Sequence, residues 1–328
     1  MKTTLLTIAT AILMASAAKA QNLSNVSWTS LHNELYFESD DGKNYIKGFY
    51  VDCYTDGGGL RVAKFKMKRV SQNVFAEVDD DDEVGTYRYK LLTVDCPKTG
   101  KSEYLSHETL DGKVEEILVK YDGEGEGFEQ MRIQEFFDAL NGTYTDKDGK
   151  KYVFNNNEFT IDGKKMTITP EPIYGSYDKC FSTDDGNAYC FAISETGINL
   201  YTGGWVDDCS DCACYPDKPY VQLRADLDAN QGRWQFTNQK IVMEGQLHRY
   251  SKSLLRLMRN EIYARHGYKF ASADLAAYFA KTSWYSPVSD NSKVKLSALE
   301  QLNVSIIKRV EDAMNQKEID EGKIEKGL

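Results

Sequence analysis

The chain has 328 residues, with 50 Asp and Glu against 40 Lys and Arg, and a formal net charge of −10. The charge is uneven, because residues 245–316 hold eleven Lys or Arg and only six Asp or Glu, a net of +5. An acidic chain with one small basic region argues against nucleic acid as the main partner. At roughly 100–200 residues per domain, the length predicts two or three domains.

The first twenty residues have the pattern of a secretory signal peptide. Lys2 supplies the positive start, residues 5–14 supply a short apolar core, and Ala18-Lys19-Ala20 is a small-residue cleavage site. The apolar core is too short to span a bilayer, and no later run reaches about 18 apolar residues. The residue directly after the cleavage site is Gln21 and not a cysteine. These features predict an exported chain, periplasmic or secreted, with neither a membrane span nor a lipid anchor.

Asp-Gly pairs punctuate the first two-thirds of the mature chain, between β-rich runs. Asp-Gly tolerates the positive φ angles of tight hairpin turns. Short strands at intervals of about ten residues predict an antiparallel meander, sandwich or small barrel. They include Asp41-Gly42, Asp111-Gly112, Asp122-Gly123, Asp148-Gly149, Asp162-Gly163 and Asp185-Gly186.

A helix is predicted to interrupt this β-rich part at Gln130–Leu140, where apolar residues recur at helical spacing. The glycine-rich stretch 123–127 before it has the composition of a linker. We therefore divide the β-rich body into a first lobe, residues 21–128, and a second lobe, residues 129–245, which contains the helix.

The second lobe opens with Gly142-Thr143-Tyr144 directly after the predicted helix. This glycine with an aromatic residue two positions on resembles the opening of lipocalin-like barrels. The resemblance implies an internal pocket for an apolar small molecule.

Beyond Arg249 the apolar period changes from two to 3.6, which predicts a helical domain at residues 246–316 and a charged tail at 317–328. Ser251 or Ser253 is placed to cap the first helix, Ser272 the second, and Ser297 with Glu300 forms a capping box for the third. The predicted fold class is thus α+β with segregated elements: a two-lobed β-rich body and a C-terminal three-helix module.

The first of these helices ends in the run Arg-Asn-Glu-Ile-Tyr-Ala-Arg-His-Gly-Tyr-Lys-Phe, residues 259–270, and Ser283-Trp284-Tyr285 follows later. This segment, about Leu254 to Asp312, resembles the YARHG domain, a module of bacterial extracellular proteins. Its naming pentapeptide corresponds here to Tyr263, Ala264, Arg265, His266 and Gly267. The resemblance brings no settled activity with it.

Two interpretations of this segment stay open. In the structural one, Glu261 and Arg265 form a helical ion pair, His266 lies in the last turn, and Gly267 ends the helix with positive φ. In the catalytic one, His266 is an acid or base, Arg259 or Arg265 grips an anionic substrate, and Glu261 orients one of them. No partner nucleophile or second carboxylate is evident on the same face, so we favour the structural interpretation and assign no catalytic residue.

The chain has seven cysteines, which in an exported protein predict up to three disulfides. Cys180 and Cys190 flank a predicted turn and are expected to form a cross-strand disulfide, and Cys53 and Cys96 end two β runs that they could join. Cysteines also cluster at Cys209, Cys212 and Cys214, where Cys209 with Cys214 is a disulfide candidate. For this cluster we favour a disulfide-stapled loop over a metal site or a redox pair.

Two acidic stretches resemble calcium loops. Asp226, Asp228 and Asn230 present oxygen ligands at alternate positions, but the following glycine is one residue late for an EF-hand and no glutamate completes the set. The second stretch is the run of five carboxylates at residues 79–83. A solvated loop is the favoured interpretation of both, and the sequence predicts no cofactor.

Together these patterns predict an exported, disulfide-stapled, non-enzymatic protein that binds or scaffolds at the bacterial cell envelope. The expected partner is an anionic envelope polymer or another envelope protein. One alternative is a hydrolase of an envelope polymer that uses His266, Arg265, Arg259 and Glu261. Another is a small-molecule carrier with a pocket in the second lobe.

Overall fold

The computed structural model describes residues 26–29, 33–40, 45–52, 61–79, 81, 83–121, 126–173, 176–202, 218–229 and 231–320. The predicted signal peptide lies outside these residues, as do the turns at Asp41-Gly42 and Asp122-Gly123.

Eight strands form a first barrel: β1 (Val26–Thr29), β2 (Asn33–Asp40), β3 (Tyr45–Asp52), β4 (Arg61–Ser71), β5 (Val74–Val78), β6 (Val84–Cys96), β7 (Gly100–Thr109) and β8 (Val114–Tyr121). The sheet is antiparallel in sequence order, and β1 pairs with β8 to close it. Large apolar side chains, among them Trp28, Phe37 and Phe75, are fully buried in its core.

Eight more strands form a second barrel: β9 (Gly142–Thr145), β10 (Lys151–Asn155), β11 (Glu158–Ile161), β12 (Lys164–Ile173), β13 (Ser176–Thr183), β14 (Ala188–Ser194), β15 (Gly197–Thr202) and β16 (Val221–Ala225). It is also antiparallel in sequence order, and β16 pairs with β9 through Arg224 opposite Thr145 and Ala225 opposite Tyr144. The predicted antiparallel β body is thus confirmed as two closed eight-stranded barrels.

Asp-Gly pairs form hairpin turns in both barrels, as predicted. Gly112, Gly149, Gly163 and Gly186 all have positive φ, and each lies between two consecutive paired strands. At the last of these turns, Gly186 N donates to Thr183 O at 2.9 Å and Thr183 N donates to Asn187 O at 2.8 Å. Local turn chemistry therefore sets where these strands end.

Aromatic rings fill the core of the second barrel. Phe154 stacks on Phe159 at 4.2 Å between ring centroids, and Phe136 meets the edges of Phe181 and Phe191 at 6.1 and 5.4 Å. Phe136 comes from helix α1 (Glu126–Leu140), which begins four residues before the predicted start and includes part of the predicted linker. The carrier alternative needs a hollow at this place, and packed rings occupy it.

The C-terminal part is helical, as predicted, but with more elements than the three expected. The helices are α2 (Glu244–Leu247), α3 (Lys252–Arg265), α4 (Ala273–Phe279) and α5 (Ala298–Asp320), with short 3-10 helices at Gln235–Asn238 and Asn291–Lys293. Helix α5 runs past the predicted end at residue 316.

The chain divides into two compact units. Of the described residues, one unit holds those up to 93 and from 103 to 121, and the other holds those from 94 to 102 and from 126 to 320. The second unit holds the second barrel together with the C-terminal helices, so the contacts between these two parts belong to one compact body.

Candidate functional site

The motif segment forms the end of α3 and the turn that follows it. Ser251 is the N-cap of α3, and its side chain accepts a hydrogen bond from Leu254 N. At the other end, Gly267 has a φ of 73°, Gly267 N donates to Ala264 O at 2.9 Å, and Tyr268 N donates to Tyr263 O at 3.1 Å. This is the pair of bonds of a Schellman helix end, which needs a residue at positive φ. The glycine of the motif therefore ends the helix.

Glu261 is the centre of a buried network. Its carboxylate is fully buried, accepts hydrogen bonds from Arg233 N at 2.8 Å and Trp234 N at 2.9 Å, and pairs with the Arg265 guanidinium one turn along the helix. Arg265 also donates to Thr237 Oγ1 at 3.0 Å. A buried carboxylate is tolerated where charge and hydrogen bonds compensate it, and here both are present.

Arg233 carries this network to the second barrel. Its guanidinium donates to Ser194 O at 2.7 Å, Glu195 O at 3.1 Å and Gly197 O at 2.6 Å, which are the carbonyls of the β14–β15 turn. The side chains of Ser251 and Ser253 donate to Glu195 Oε1 at 2.8 and 2.7 Å. The start of α3 and the segment before it are thus fastened to one turn of the barrel.

Arg259 makes a separate ion pair that joins α3 to α5. Its Nε lies 2.9 Å from Glu311 Oε2, and both side chains are mostly buried. The pair uses neither Glu261 nor His266.

His266 makes a third pair, with Glu300 in the first turn of α5. Nε2 of His266 lies 2.7 Å from Glu300 Oε1. Glu300 also accepts from Ser297 N at 2.8 Å, and Ser297 Oγ accepts from Glu300 N at 3.2 Å, so the predicted capping box is confirmed. Burial alone would raise the pKa of Glu300, but the hydrogen bonds from His266 and Ser297 outweigh it and hold that pKa below its usual range.

The four residues of the catalytic interpretation therefore do not meet at one point. Glu261 with Arg265, Arg259 with Glu311, and His266 with Glu300 are three pairs with different partners. The first faces the segment before α2, and the other two face α5. The Arg259 and His266 pairs hold α3 and its last turn to α5, while the Glu261–Arg265 pair within α3 is bonded to residues 233, 234 and 237 before α2.

The remaining motif residues are packing residues. Ala264 is buried, and the Tyr263 ring meets the edge of the Tyr268 ring at 5.5 Å between centroids. Phe270 stacks on Phe279 of α4 at 5.2 Å. The aromatic residues of the run thus build the small core between α3 and α4.

One predicted disulfide is present: Cys180 on β13 is bonded to Cys190, its register partner on β14. Cys96 is buried and has no disulfide partner among the described residues, and its suggested partner Cys53 lies outside them. The cluster of Cys209, Cys212 and Cys214 also lies outside them.

The carboxylates of the first calcium-like stretch accept protein hydrogen bonds. Asp226 Oδ1 accepts from Asp228 N and Ala229 N, each at 3.1 Å. Asp228 Oδ1 accepts from Ser283 N at 2.6 Å and from Ser283 Oγ at 2.9 Å, while Asn230 lies outside the described residues. Across the described ranges, no group of three or more His, Cys, Asp or Glu side chains is arranged to hold a metal ion.

The sequence patterns missed a buried group of charges between α1 and the helical part. Glu135 lies between Arg132 at 3.3 Å and Arg249 at 3.6 Å, and Lys240 pairs with Asp138. Burial raises the pKa of Glu135, and the nearby cations Arg249, Arg132 and Lys240 oppose that rise. Arg132, Glu135 and Asp138 lie on α1, but Lys240 and Arg249 come much later in the chain, so local spacing does not indicate the group.

Two polar clefts lie on the second unit. The amide cleft has a volume of about 370 Å³ and is lined by the carboxamides of Asn141, Asn155, Asn156, Gln235 and Gln239, together with Lys98 and Arg233. The rim cleft has a volume of about 600 Å³ and lies beside the β14–β15 turn, where Lys147, Asn199 and Gln222 line it. Neither was predicted, since their residues come from distant segments.

Among the helices of the described residues, none combines the length and the apolar composition needed to cross a membrane. No curated protein and no solved structure shows significant similarity to the chain. The family model of the YARHG domain matches residues 233–312. The match begins at Arg233, about twenty residues before the segment whose motifs resemble the family, and so includes the residue that reaches the β14–β15 turn. The C-terminal part of the chain, residues 233–312, is a YARHG domain.

Proposed function

We propose that the protein is an exported, non-enzymatic binding or scaffolding protein of the bacterial cell envelope, in which the YARHG domain braces the second barrel. The observation that carries the proposal is the division of the motif's charged residues into three structural pairs. A side chain whose hydrogen bonds are used to hold the fold together is a poor general acid, base or substrate clamp.

A continuous series of hydrogen bonds between the YARHG domain and the second barrel supports the bracing role. It runs from Arg265 to Glu261, from Glu261 to the backbone of Arg233, and from the Arg233 side chain to the barrel turn. Each link is a hydrogen bond with at least one buried or half-buried partner, where such bonds are stronger than in water. The most distinctive residues of the domain thereby serve attachment to the neighbouring barrel.

The hydrolase alternative requires a shared cleft for His266, Arg265, Arg259 and Glu261. Glu261 is fully buried, and the Arg265 side chain is 11% exposed. A polymer substrate has no access to a carboxylate in that position unless the domain comes away from the barrel. The geometry therefore favours binding over hydrolysis.

Export is supported by the signal-peptide pattern of residues 1–20, and an envelope partner follows from export. A disulfide joins Cys180 and Cys190, as suits an oxidising compartment. The partner that fits the basic helical part is an anionic envelope polymer, and another envelope protein is the second possibility.

The test is retention of the mature protein on immobilised envelope glycans, lipids and proteins, at low and at moderate salt. The proposal expects retention without cleavage, weakened by salt if the partner is anionic. Release of polymer fragments that stops in His266→Ala, with the fold intact by melting temperature, would instead establish the hydrolase.

A further inference from the structure

The amide cleft combines unusual lining chemistry with a definite place in the fold. Carboxamides come to it from two sides, Asn155 and Asn156 from the end of β10 and Gln235 and Gln239 from the first turn of the YARHG domain. Its volume of about 370 Å³ falls in the range of small-ligand pockets, roughly 300–1,000 Å³. The buried residues Phe154 and Phe236 add an apolar part to the lining.

Several of these groups have hydrogen-bonding capacity to spare. Asn141 and Asn156 bind each other, since Asn141 Nδ2 donates to Asn156 Oδ1 at 3.2 Å. The side-chain amides of Asn155, Gln235 and Gln239, by contrast, make no hydrogen bond within the part of the chain that the structure describes. Each amide offers two donors and an acceptor. A ligand with many groups that both donate and accept would satisfy them.

The cleft also has excess positive charge. The Arg233 guanidinium donates only to backbone carbonyls, and neither it nor the Lys98 amine has an ion-pair partner among the described residues. The one carboxylate in the lining, Asp138, is already paired with Lys240. Lys98 belongs to segment 94–102, which is part of the same compact unit, and its backbone N donates to Gln239 O at 3.1 Å. The charge therefore favours an anionic ligand.

We propose that the amide cleft binds an acidic saccharide, a sugar unit that carries hydroxyl groups and one carboxylate or phosphate. Sugar hydroxyls both donate and accept, which matches the free carboxamides, and the acidic group matches the amine of Lys98, while Arg233, whose guanidinium is bonded to the β14–β15 turn, contributes only its charge. An acidic peptide fits less well, because the second barrel is closed and offers no free strand edge for an extended chain. The inference rests on the proposed binding function and names the class of ligand for it.

The experiment measures binding of the mature full-length protein to an oligosaccharide panel. The panel contains carboxylated and phosphorylated oligosaccharides, their neutral counterparts, and tetraglutamate as the acidic peptide. The cleft variant is Lys98→Ala with Gln235→Ala and Gln239→Ala. The matched control is Lys147→Ala with Asn199→Ala and Gln222→Ala, which removes the same kinds of side chain from the rim cleft. Melting temperatures show whether both variants are folded, and the single exposed variant Lys98→Ala is measured as well.

The expected result is binding of an acidic oligosaccharide above its neutral counterpart, weakened at least about tenfold in the cleft variant and unchanged in the control. Equal binding by the cleft variant, loss in the control instead, or a preference for tetraglutamate would overturn the inference. If an envelope polymer is retained with the cleft variant unaffected, the proposed function stands and this site falls. If no polymer, lipid or protein of the envelope is retained at all, both fall.

Discussion

Glu261 has one partner that the sequence predicts and two partners that it does not. The four-residue spacing to Arg265 predicted their ion pair, and the structure confirms it. The other partners of the carboxylate, the backbone N–H groups of Arg233 and Trp234, are 28 and 27 residues away in the chain. Sequence spacing identifies only local pairs, so the attachment to the barrel could not be predicted.

The first prediction concerns this carboxylate. Glu261→Ala leaves two buried N–H groups and the Arg265 guanidinium without their acceptor, so we expect a loss of about 3–5 kcal/mol in the free energy of unfolding. The matched control is Asp312→Ala, which breaks the exposed i,i+4 pair with Lys308 on α5 and should change stability by less than about 0.5 kcal/mol. Urea unfolding measures both. Similar effects of the two changes would show that Glu261 has no special role.

The second prediction concerns Glu300. Its pKa is lower in the folded chain than the usual unfolded value of about 4.3, so the ionised form stabilises the fold at pH values above that range. This contribution is lost as the pH falls through the folded pKa. The stability difference between the wild type and Glu300→Gln should therefore be largest near neutral pH and shrink below about pH 4. Thermal unfolding between pH 3 and pH 7 measures it, and a difference that stays constant would refute the assignment.

Turns and caps were predictable at the scale of elements because their chemistry is local. Asp-Gly turns, the Ser251 cap, the Ser297–Glu300 box and the glycine end of α3 all depend on residues within a few positions of each other. Barrel closure was not predictable in this way. The pairing of Arg224 with Thr145 joins the last strand of the second barrel to the first, and no local pattern indicates it.

The third prediction compares two glycines at positive φ. A Cβ on Gly267 would lie 2.6 Å from Ser286 O, while a Cβ on Gly163 would meet nothing within 4 Å. In both variants the alanine must adopt the left-handed conformation, which lowers the free energy of unfolding by about 1 kcal/mol. Only Gly267→Ala must also displace neighbouring backbone. We expect Gly267→Ala to lose at least about 1 kcal/mol more than Gly163→Ala in urea unfolding. Equal losses would mean that the turn after α3 has room to adjust.

At the scale of the whole molecule, the uneven distribution of charge along the chain is the informative feature. Residues 245–316 carry a net charge of +5 and residues 21–244 a net charge of −16, a distribution that fits either docking of the helices on the body or attraction of an anionic polymer. In the structure many of the helical cations pair within the YARHG domain, as Arg256 does with Asp274 and Arg259 with Glu311. Arg249 instead pairs with Glu135 of α1, so docking uses part of the charge.

The α+β architecture followed from the change of apolar period, and this part of the prediction is confirmed. The domain boundary at residue 245 stays a prediction. The amide cleft could not be predicted from the sequence, because its lining comes from the segments around residues 98, 141, 155 and 235. Each contributes ordinary polar residues that only the fold brings together.

The claim that the YARHG domain braces the second barrel is tested most directly by hydrogen exchange of the Arg233→Ala variant, measured by mass spectrometry. The comparisons are the wild type and a control variant, Arg224→Ala, on the exposed face of β16. Arg233 joins the β14–β15 turn to the buried carboxylate of α3. Its loss should therefore raise exchange in residues 190–200 and in residues 252–266 together, while the control leaves both protected. Faster exchange confined to the few residues around position 233 would show that the YARHG domain and the barrel are held together by something else.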